Sequence, residues 1–231
     1  MEYSPKKMSD NLSSNGFNFK KKFGQNFIVD ENIINSIIDK SHIDNDTLVI
    51  EIGPGAGSLT DKLTQKAKYV LCYEIDEKLK PILEKNISKK NNLEIIFKNF
   101  LESNVKEDIK KYNYEKLYVI ANLPYYITTP IIMKLLEEKL DLKTITVMVQ
   151  KEVADRMKKL LSEYNNQEEK ALEDILNFHV KFECIHPFQD GNGRVGRMII
   201  LKQCLDSNII PVIIRDSNKA EYYRFLNKAQ H

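Results

Sequence analysis

Short apolar runs alternate with segments of helical periodicity along roughly the first 160 residues of the chain. Isoleucines recur at helical spacing between residues 26 and 43, which predicts an amphipathic helix. Later apolar runs predict five strands, at residues 48–52, 69–75, 93–97, 117–121 and 144–149. Helices are predicted at residues 58–65, 77–86, 129–138 and 151–161. This alternation predicts an α/β fold, a mostly parallel sheet with helices on both faces.

The pattern changes in the last third of the chain. Residues 161–170 are polar and predict a linker, after which helices are expected at 171–184, 195–205 and 219–229, with an extended run at 209–214. Residues 1–16 are polar and rich in Ser and Asn, which is typical of a flexible tail. The sequence therefore predicts one domain at 17–160 and a smaller helical segment at 171–231.

Composition narrows the class of protein without identifying a partner. The 231 residues carry a formal net charge of +2, and 42% of them are hydrophobic, enough for a buried core. Cys72, Cys184 and Cys204 are scattered and odd in number, which argues against a disulfide framework and favours a reduced, cytoplasmic protein. We expect neither a membrane span nor export, because there is no apolar run of about 18 residues and no apolar signal core.

A glycine-rich turn follows the first predicted strand. Gly53, Gly55 and Gly57 would let a nucleotide-like cofactor approach the backbone closely, next to the N-terminus of a helix. Glu74, about 20 residues further on at the end of the second strand, can accept hydrogen bonds from ribose hydroxyls. A tight turn without a ligand and an ordinary exposed strand end remain the alternatives.

A second turn, Asn-Leu-Pro-Tyr-Tyr at residues 122–126, follows the fourth strand. Such a turn offers amide acceptors and an aromatic face to a planar amine, such as the exocyclic amine of adenine. That amine is a poor nucleophile because its lone pair is delocalised into the ring. The Asn122 side-chain carbonyl and the Leu123 backbone carbonyl could accept its two hydrogens and favour the pyramidal, reactive nitrogen. Pro124 would stiffen the turn, and Tyr125 could stack on an adenine that has left its helix. The alternative is an ordinary turn with core tyrosines.

Residues 19–157 resemble the ribosomal RNA adenine dimethyltransferases, and the small-subunit branch fits best. The matching stretches are residues 22–27, 51–57, 73–76, 122–126 and 149–154. The resemblance implies a Rossmann-like class I methyltransferase sheet, S-adenosylmethionine as cofactor and small-subunit ribosomal RNA as substrate. It also implies that Asn26 and Ile28 close over the cofactor, Gly53 lies beneath its methionine portion, Glu74 holds the ribose, Ile75 flanks the adenine ring, and Asn122 bridges cofactor and base.

This chain departs from that family in two respects. Lys98-Asn99 stands where the family usually has Gly-Asp, whose Asp contacts the adenine amine of the cofactor. Asn99 can still accept that hydrogen bond, but it is uncharged, so we expect weaker cofactor binding. The resemblance also implies that family members continue with two further strands and a small RNA-binding domain, and we expect neither in these 231 residues. The fifth strand is therefore expected at an exposed edge of a truncated sheet.

Residues 186–197, His-Pro-Phe-Gln-Asp-Gly-Asn-Gly-Arg-Val-Gly-Arg, resemble a different family, the Fic enzymes, over about 60 residues. Fic enzymes usually transfer AMP from ATP to a protein hydroxyl. The resemblance makes His186 the base, Phe188 the anchor of the loop and Asp190 the ligand of Mg²⁺ on the phosphates. Gly191, Asn192 and Gly193 would form an anion nest, and Arg194 and Arg197 would bind phosphate oxygens.

Three functions therefore remain open from the sequence. The leading one is adenine N6-dimethylation of small-subunit ribosomal RNA. The second is AMP transfer from ATP to a protein substrate through His186. The third is a truncated fusion of two families that binds only cofactor or RNA.

Overall fold

The structure is a computed structural model that describes residues 30–87, 90–123, 125–212, 214 and 216–229. The chain divides into two compact units, Met1–Met148 and Val149–His231. The sequence places the first boundary later, at residue 160. The helix that starts at Lys151 thus belongs to the second unit.

In its described residues, the first unit contains five strands alternating with helices. The sequence predicts the five strands, but it does not predict the short helix Val105–Ile109. The strands are β1 (Thr47–Ile52), β2 (Tyr69–Glu74), β3 (Leu93–Phe97), β4 (Lys116–Ala121) and β5 (Leu142–Val147). The helices are α1 (Glu31–Lys40), α2 (Ser58–Leu63), α3 (Lys80–Asn86), α4 (Val105–Ile109) and α5 (Tyr125–Glu137), with 3₁₀ turns at Glu77–Leu79 and Phe100–Glu102.

The five strands form one parallel sheet in the order β3-β2-β1-β4-β5. The strand order reverses between β1 and β4, because the chain leaves the middle of the sheet in one direction and returns in the other. All six residues of β1 are buried, as expected for the central strand of a parallel sheet covered on both faces. This confirms the predicted α/β, Rossmann-like class of the first unit.

Alternate residues of the strands supply two separate apolar layers. Leu48, Ile50 and Ile52 pack on one face with Val105 and Ile131 of α4 and α5. On the other face, the apolar layer contains Val49 and Val70 from the strands together with Ile34, Ile38, Leu59 and Leu63 from α1 and α2. Each fully buried Leu or Ile contributes about 1.5–3 kcal/mol, so these layers fix the ends of the strands in space.

The second unit is helical. Its helices are α6 (Lys151–Asn165), α7 (Leu172–Ile185), α8 (Asn192–Asp206) and α9 (Lys219–Ala229), with a 3₁₀ turn at Asp216–Asn218. Helix α7 lies against α6 and α8: the rings of Tyr164 and Phe178 are 4.9 Å apart, and Ile175 packs with Ile200 and Cys204.

Several predicted bounds differ from the observed ones. Helix α5 starts at Tyr125 rather than Thr129, because it accommodates Pro130 in its interior instead of in its first turn. Helix α6 continues through Asn165, into the predicted 161–170 linker, since buried Leu160 and the Tyr164 ring hold its last turns against α7. Of the predicted extended run, the described residues 209–212 and 214 belong to no strand.

Candidate functional site

The glycine turn after β1 uses backbone conformations that L side chains rarely adopt. Gly53, Gly55 and Gly57 have φ angles of 75°, 59° and 87°. The Gly53 N–H donates to the Tyr73 carbonyl of β2 at 2.9 Å, which ties the turn to the sheet. A Cβ on Gly57, the N-cap of α2, would lie 2.6 Å from the Ile87 Cδ1 atom. The turn therefore requires glycine at position 57 for both strain and space.

The structure brings the two predicted turns together. β1 and β4 are neighbours, with Ile52 opposite Ala121, so Gly53 and Asn122 emerge side by side. A Cβ on Gly53 would lie 3.4 Å from the Asn122 backbone carbonyl oxygen and 3.7 Å from the Leu123 Cδ2 atom. This is the point where the strand order reverses, the place where open α/β sheets bind ligands outside the carboxyl ends of their strands.

Glu74 and Ile75 end β2 beside the glycine turn, and they differ in exposure. Glu74 is 4% exposed, and its carboxylate accepts hydrogen bonds from the Gly55 N–H at 3.2 Å and the Asp76 N–H at 2.9 Å. Burial raises the pKa of Glu74, while these N–H groups oppose the rise. Ile75 is 53% exposed, so its side chain can flank a planar ring.

Asn99 follows β3, at the next position along the same edge of the sheet. Its side chain is half-buried and caps the 3₁₀ turn: Oδ1 accepts from the Leu101 N–H at 3.1 Å, and Nδ2 donates to the Glu102 Oε1 atom at 2.9 Å. The predicted acceptor is thus present at the expected strand end, but its amide already has two local partners.

The remaining predicted residues of this site are described only in part. Asn122 and Leu123 are half-buried, and Tyr125 is the first residue of α5. Pro124, Asn26 and Ile28 lie outside the described residues, as does the Tyr125 side chain. Their predicted roles therefore stay predictions.

Glu51 is a buried carboxyl beneath the glycine turn. The sequence pattern predicts no role for this residue. Its Oε2 atom accepts from the Thr60 hydroxyl at 2.6 Å and from the Cys72 thiol at 3.5 Å. Burial raises the pKa of Glu51 to about 7, and these two hydrogen bonds oppose the rise. Glu51 therefore joins β1, β2 and α2 directly below the turn. The sequence signal for this role is a carboxyl side chain within an apolar strand, two residues before the first glycine of the turn.

The C-terminal loop connects α7 to α8 within the second unit. His186 ends α7 in a left-handed conformation, and Gly191, also left-handed, is the N-cap of α8. Asn192 is 2% exposed, and its side chain accepts from the Phe188 N–H at 2.9 Å and donates to the Phe188 carbonyl at 2.6 Å. The loop is thereby closed on itself at the start of a 15-residue helix.

The predicted phosphate and metal ligands of this loop are engaged with the protein. The Arg194 guanidinium donates to the Asp190 carboxylate at 3.0 Å, and both side chains are exposed. A Cβ on Gly193 would lie 3.0 Å from an Arg197 guanidinium nitrogen, so Arg197 folds back along α8. No cluster of three or more His, Cys, Asp or Glu side chains suited to a metal occurs within the described ranges.

Buried polar groups underlie the same helix. His179 and Glu183 of α7 approach Gly196 so closely that a Cβ there would lie 2.8 Å and 2.6 Å from their side chains. His179 contacts the Tyr222 hydroxyl through Nε2. Burial lowers the pKa of His179 to about 4, and Arg197 acts in the same direction. These residues were missed because their partners lie on three different helices.

None of the helices in the part of the chain that the structure describes is long and apolar enough to span a membrane.

Comparisons with known proteins identify relatives of this chain. The family model described as ribosomal RNA adenine dimethylase matches residues 16–187. Curated proteins named "Ribosomal RNA small subunit methyltransferase A" from Staphylococcus aureus (strain bovine RF122 / ET3-1) and Bacillus pumilus (strain SAFR-032) are each 49% identical, over 155 and 167 residues. These alignments cover 66% and 70% of this chain, but 52% and 57% of the relatives. The chain thus spans little more than half their length.

Solved structures were also matched. The crystal structure of the 23S rRNA methyltransferase ErmE is 26% identical with a TM-score of 0.47, covering 67% of this chain and 57% of that one. The crystal structure of a dimethyladenosine transferase from Plasmodium falciparum is 32% identical with a TM-score of 0.44, covering 55% and 44%. Because the family model matches most of its residues, the chain belongs to the ribosomal RNA adenine dimethylase family.

Proposed function

We propose that this chain is an S-adenosylmethionine-dependent dimethyltransferase that modifies the N6 amine of adenine in small-subunit ribosomal RNA. Membership of the ribosomal RNA adenine dimethylase family and the names of the 49% identical relatives support this activity. This activity is proposed for the present chain, which spans little more than half the length of those relatives.

One observation carries the proposal: Gly53 and Asn122 meet where the strand order reverses. A side chain on Gly53 would fill the space beside the Asn122 backbone carbonyl, so glycine leaves a cradle there. Along the same edge come Glu74, Ile75 and Asn99, which supply a carboxylate, an exposed apolar side chain and an amide. This succession suits a nucleoside with a charged tail: the tail at Gly53, the ribose at Glu74 and the purine near Ile75 and Asn99.

The residues at the turn suit a planar amine as the acceptor of the transferred group. When bound, S-adenosylmethionine supplies a methyl group already activated by a positive sulfur. The protein's task is to position the amine nitrogen and localise its lone pair. The Asn122 side-chain carbonyl and the Leu123 backbone carbonyl would accept the two amine hydrogens, which favours the pyramidal nitrogen. Tyr125 would stack on the unstacked base.

Transfer of tritiated methyl groups from S-adenosylmethionine to unmethylated small-subunit particles tests this function. We expect incorporation into adenine. The rate should fall about a hundredfold in Asn122→Ala, because the variant lacks one positioned polar group that contacts the reacting amine. Binding of S-adenosylhomocysteine, which Asn122 would share with Gly53 and Glu74, should weaken far less than the rate falls. Asn177→Ala, an exposed amide on α7, is the matched control. Wild-type protein that methylates no adenine, or Asn122→Ala at the wild-type rate, would contradict the proposal.

A second candidate function, of Fic type, belongs to the loop between α7 and α8. The specific observation in its favour is the closed conformation of that loop, in which buried Asn192 fixes the Phe188 backbone at the N-terminus of a long helix. Backbone N–H groups at such a terminus attract phosphate. His186, the proposed base, is exposed at the other end of the loop.

In this second function, Asp190 and Arg194 would exchange their mutual ion pair for Mg²⁺ and phosphate oxygens of ATP. The test is labelling of a protein substrate, or of the chain itself, with α-³²P-ATP and Mg²⁺. Labelling that His186→Ala abolishes supports AMP transfer, and equal labelling of wild type and His186→Ala overturns it. His179→Ala is unsuitable as a control because His179 is buried beneath α8.

A further inference from the structure

The strand ends of the first unit place Asn99 next to the predicted ribose ligand. β3 pairs with β2 in parallel, with Phe97 opposite Glu74, so Asn99 lies beyond Glu74 on the side away from Gly53. A nucleoside that meets Gly53 with its tail and Glu74 with its ribose presents its base towards this position. Asn99 is half-buried, and the hydrogen bond between its amide and Glu102 is exposed to solvent.

An amide at this position has two possible orientations with opposite chemistry. Its oxygen accepts hydrogen bonds and its nitrogen donates them, so a rotation of 180° about the last bond exchanges the two. One orientation favours a 6-amino purine, whose exocyclic group donates. The flipped orientation favours a 6-oxo purine, whose exocyclic group accepts.

Two neighbours select one of these orientations. The Leu101 backbone N–H, which can only donate, lies 3.1 Å from Asn99 Oδ1. The Glu102 carboxylate, an acceptor, lies 2.9 Å from Asn99 Nδ2. A flip would place oxygen against the carboxylate and nitrogen against the N–H, so both hydrogen bonds would be lost together.

The backbone of the turn is held independently of this amide. The Ser103 hydroxyl donates to the Asn99 carbonyl at 3.1 Å, and the Lys134 ammonium of α5 donates to the Ser103 carbonyl at 2.8 Å. Removing the Glu102 carboxylate therefore leaves these backbone contacts in place. What changes is the freedom of the Asn99 amide to turn.

We propose that Glu102 is a positioning residue that fixes the Asn99 amide with its oxygen available as an acceptor, and thereby makes the site select a 6-amino over a 6-oxo purine in the cofactor. The inference rests on the proposed function, since it requires a purine nucleoside cofactor in this crevice.

The test is calorimetric binding of S-adenosylhomocysteine and of its 6-oxo analogue, S-inosylhomocysteine, to the full chain. We expect wild type to prefer the 6-amino ligand about tenfold or more, and Glu102→Ala to lower this ratio about fivefold, the worth of one hydrogen bond that opposes the flip. Glu107→Ala is the matched control, an exposed acid on α4 whose carboxylate bonds Lys110.

A second background separates orientation from simple disturbance of the turn. In Asn99→Asp no flip is possible, so adding Glu102→Ala should leave the preference unchanged within about twofold. The inference is overturned if Glu102→Ala keeps the wild-type ratio, or if the ratio falls equally in the Asn99→Asp background. If wild type binds neither ligand, the proposed function itself fails. Binding of both ligands with an unaltered ratio in Glu102→Ala removes only the present inference.

Discussion

At the scale of single residues, Glu51 shows how the buried interior supports the site. Its carboxyl is 2% exposed and accepts from groups on α2 and β2. Burial raises its pKa from 4.5 to about 7, so the folded protein holds this proton at pH values where an unfolded chain releases it. The neutral acid is therefore part of the packing beneath the glycine turn.

The raised pKa predicts a pH-dependent effect of Glu51→Gln. Because the folded state binds the proton more tightly, the contribution of Glu51 is fully present below pH 4.5 and is lost as the pH rises to about 7. The uncharged glutamine side chain of the variant does not titrate. The stability of Glu51→Gln relative to wild type should therefore rise by about 3 kcal/mol between about pH 4 and about pH 8.

Urea unfolding followed by circular dichroism at several pH values measures this difference. Glu107→Gln, at an exposed position, is the control and should show no such trend. A stability difference between Glu51→Gln and wild type that is independent of pH would show that folding does not raise the pKa of Glu51.

The positions of candidate site residues were predictable where a single segment of sequence determines them. The glycines of the first turn and Asn122 follow strands directly, so their strand-end positions could be predicted from the sequence. The roles of Glu51 and Glu102 could not. Glu51 depends on Thr60 and Cys72, and Glu102 matters only because the Asn99 amide turns towards it. Such pairings are decided by packing and side-chain rotamers.

At the scale of elements, the apolar periodicity predicted which segments form helices and strands better than where they end. β3 and α9 have the predicted bounds. Helix α8 starts at Asn192, three residues before the prediction, although Gly193 and Gly196 lower its intrinsic helix propensity. The loop sets this start: Gly191 is the N-cap, and the Asn192 side chain bonds the Phe188 backbone. Gly196 is retained inside the helix because it leaves room for the His179 and Glu183 side chains.

At the scale of the whole molecule, the chain consists of two compact units that differ in fold and in the candidate site each contains. The first has the five-stranded sheet that the alternating pattern predicts and the two turns that meet at its centre. The second has a closed helix–loop–helix in which Arg194 pairs with Asp190, and the buried His179 of α7 contacts Tyr222 of α9. The sequence could not predict that the boundary precedes α6, since that helix is amphipathic and would suit either neighbour.

In the proposed function, the space between Gly53 and the Asn122 backbone seats the tail of the cofactor. Calorimetric titration with S-adenosylmethionine tests it most directly, comparing wild type, Gly53→Arg and Gly191→Arg, which places the same side chain on a left-handed glycine of the other unit. We expect saturable binding to wild type and Gly191→Arg. Binding to a folded Gly53→Arg should be weaker by about a hundredfold or more, because the arginine side chain fills the cradle. Wild-type affinity in Gly53→Arg would contradict it.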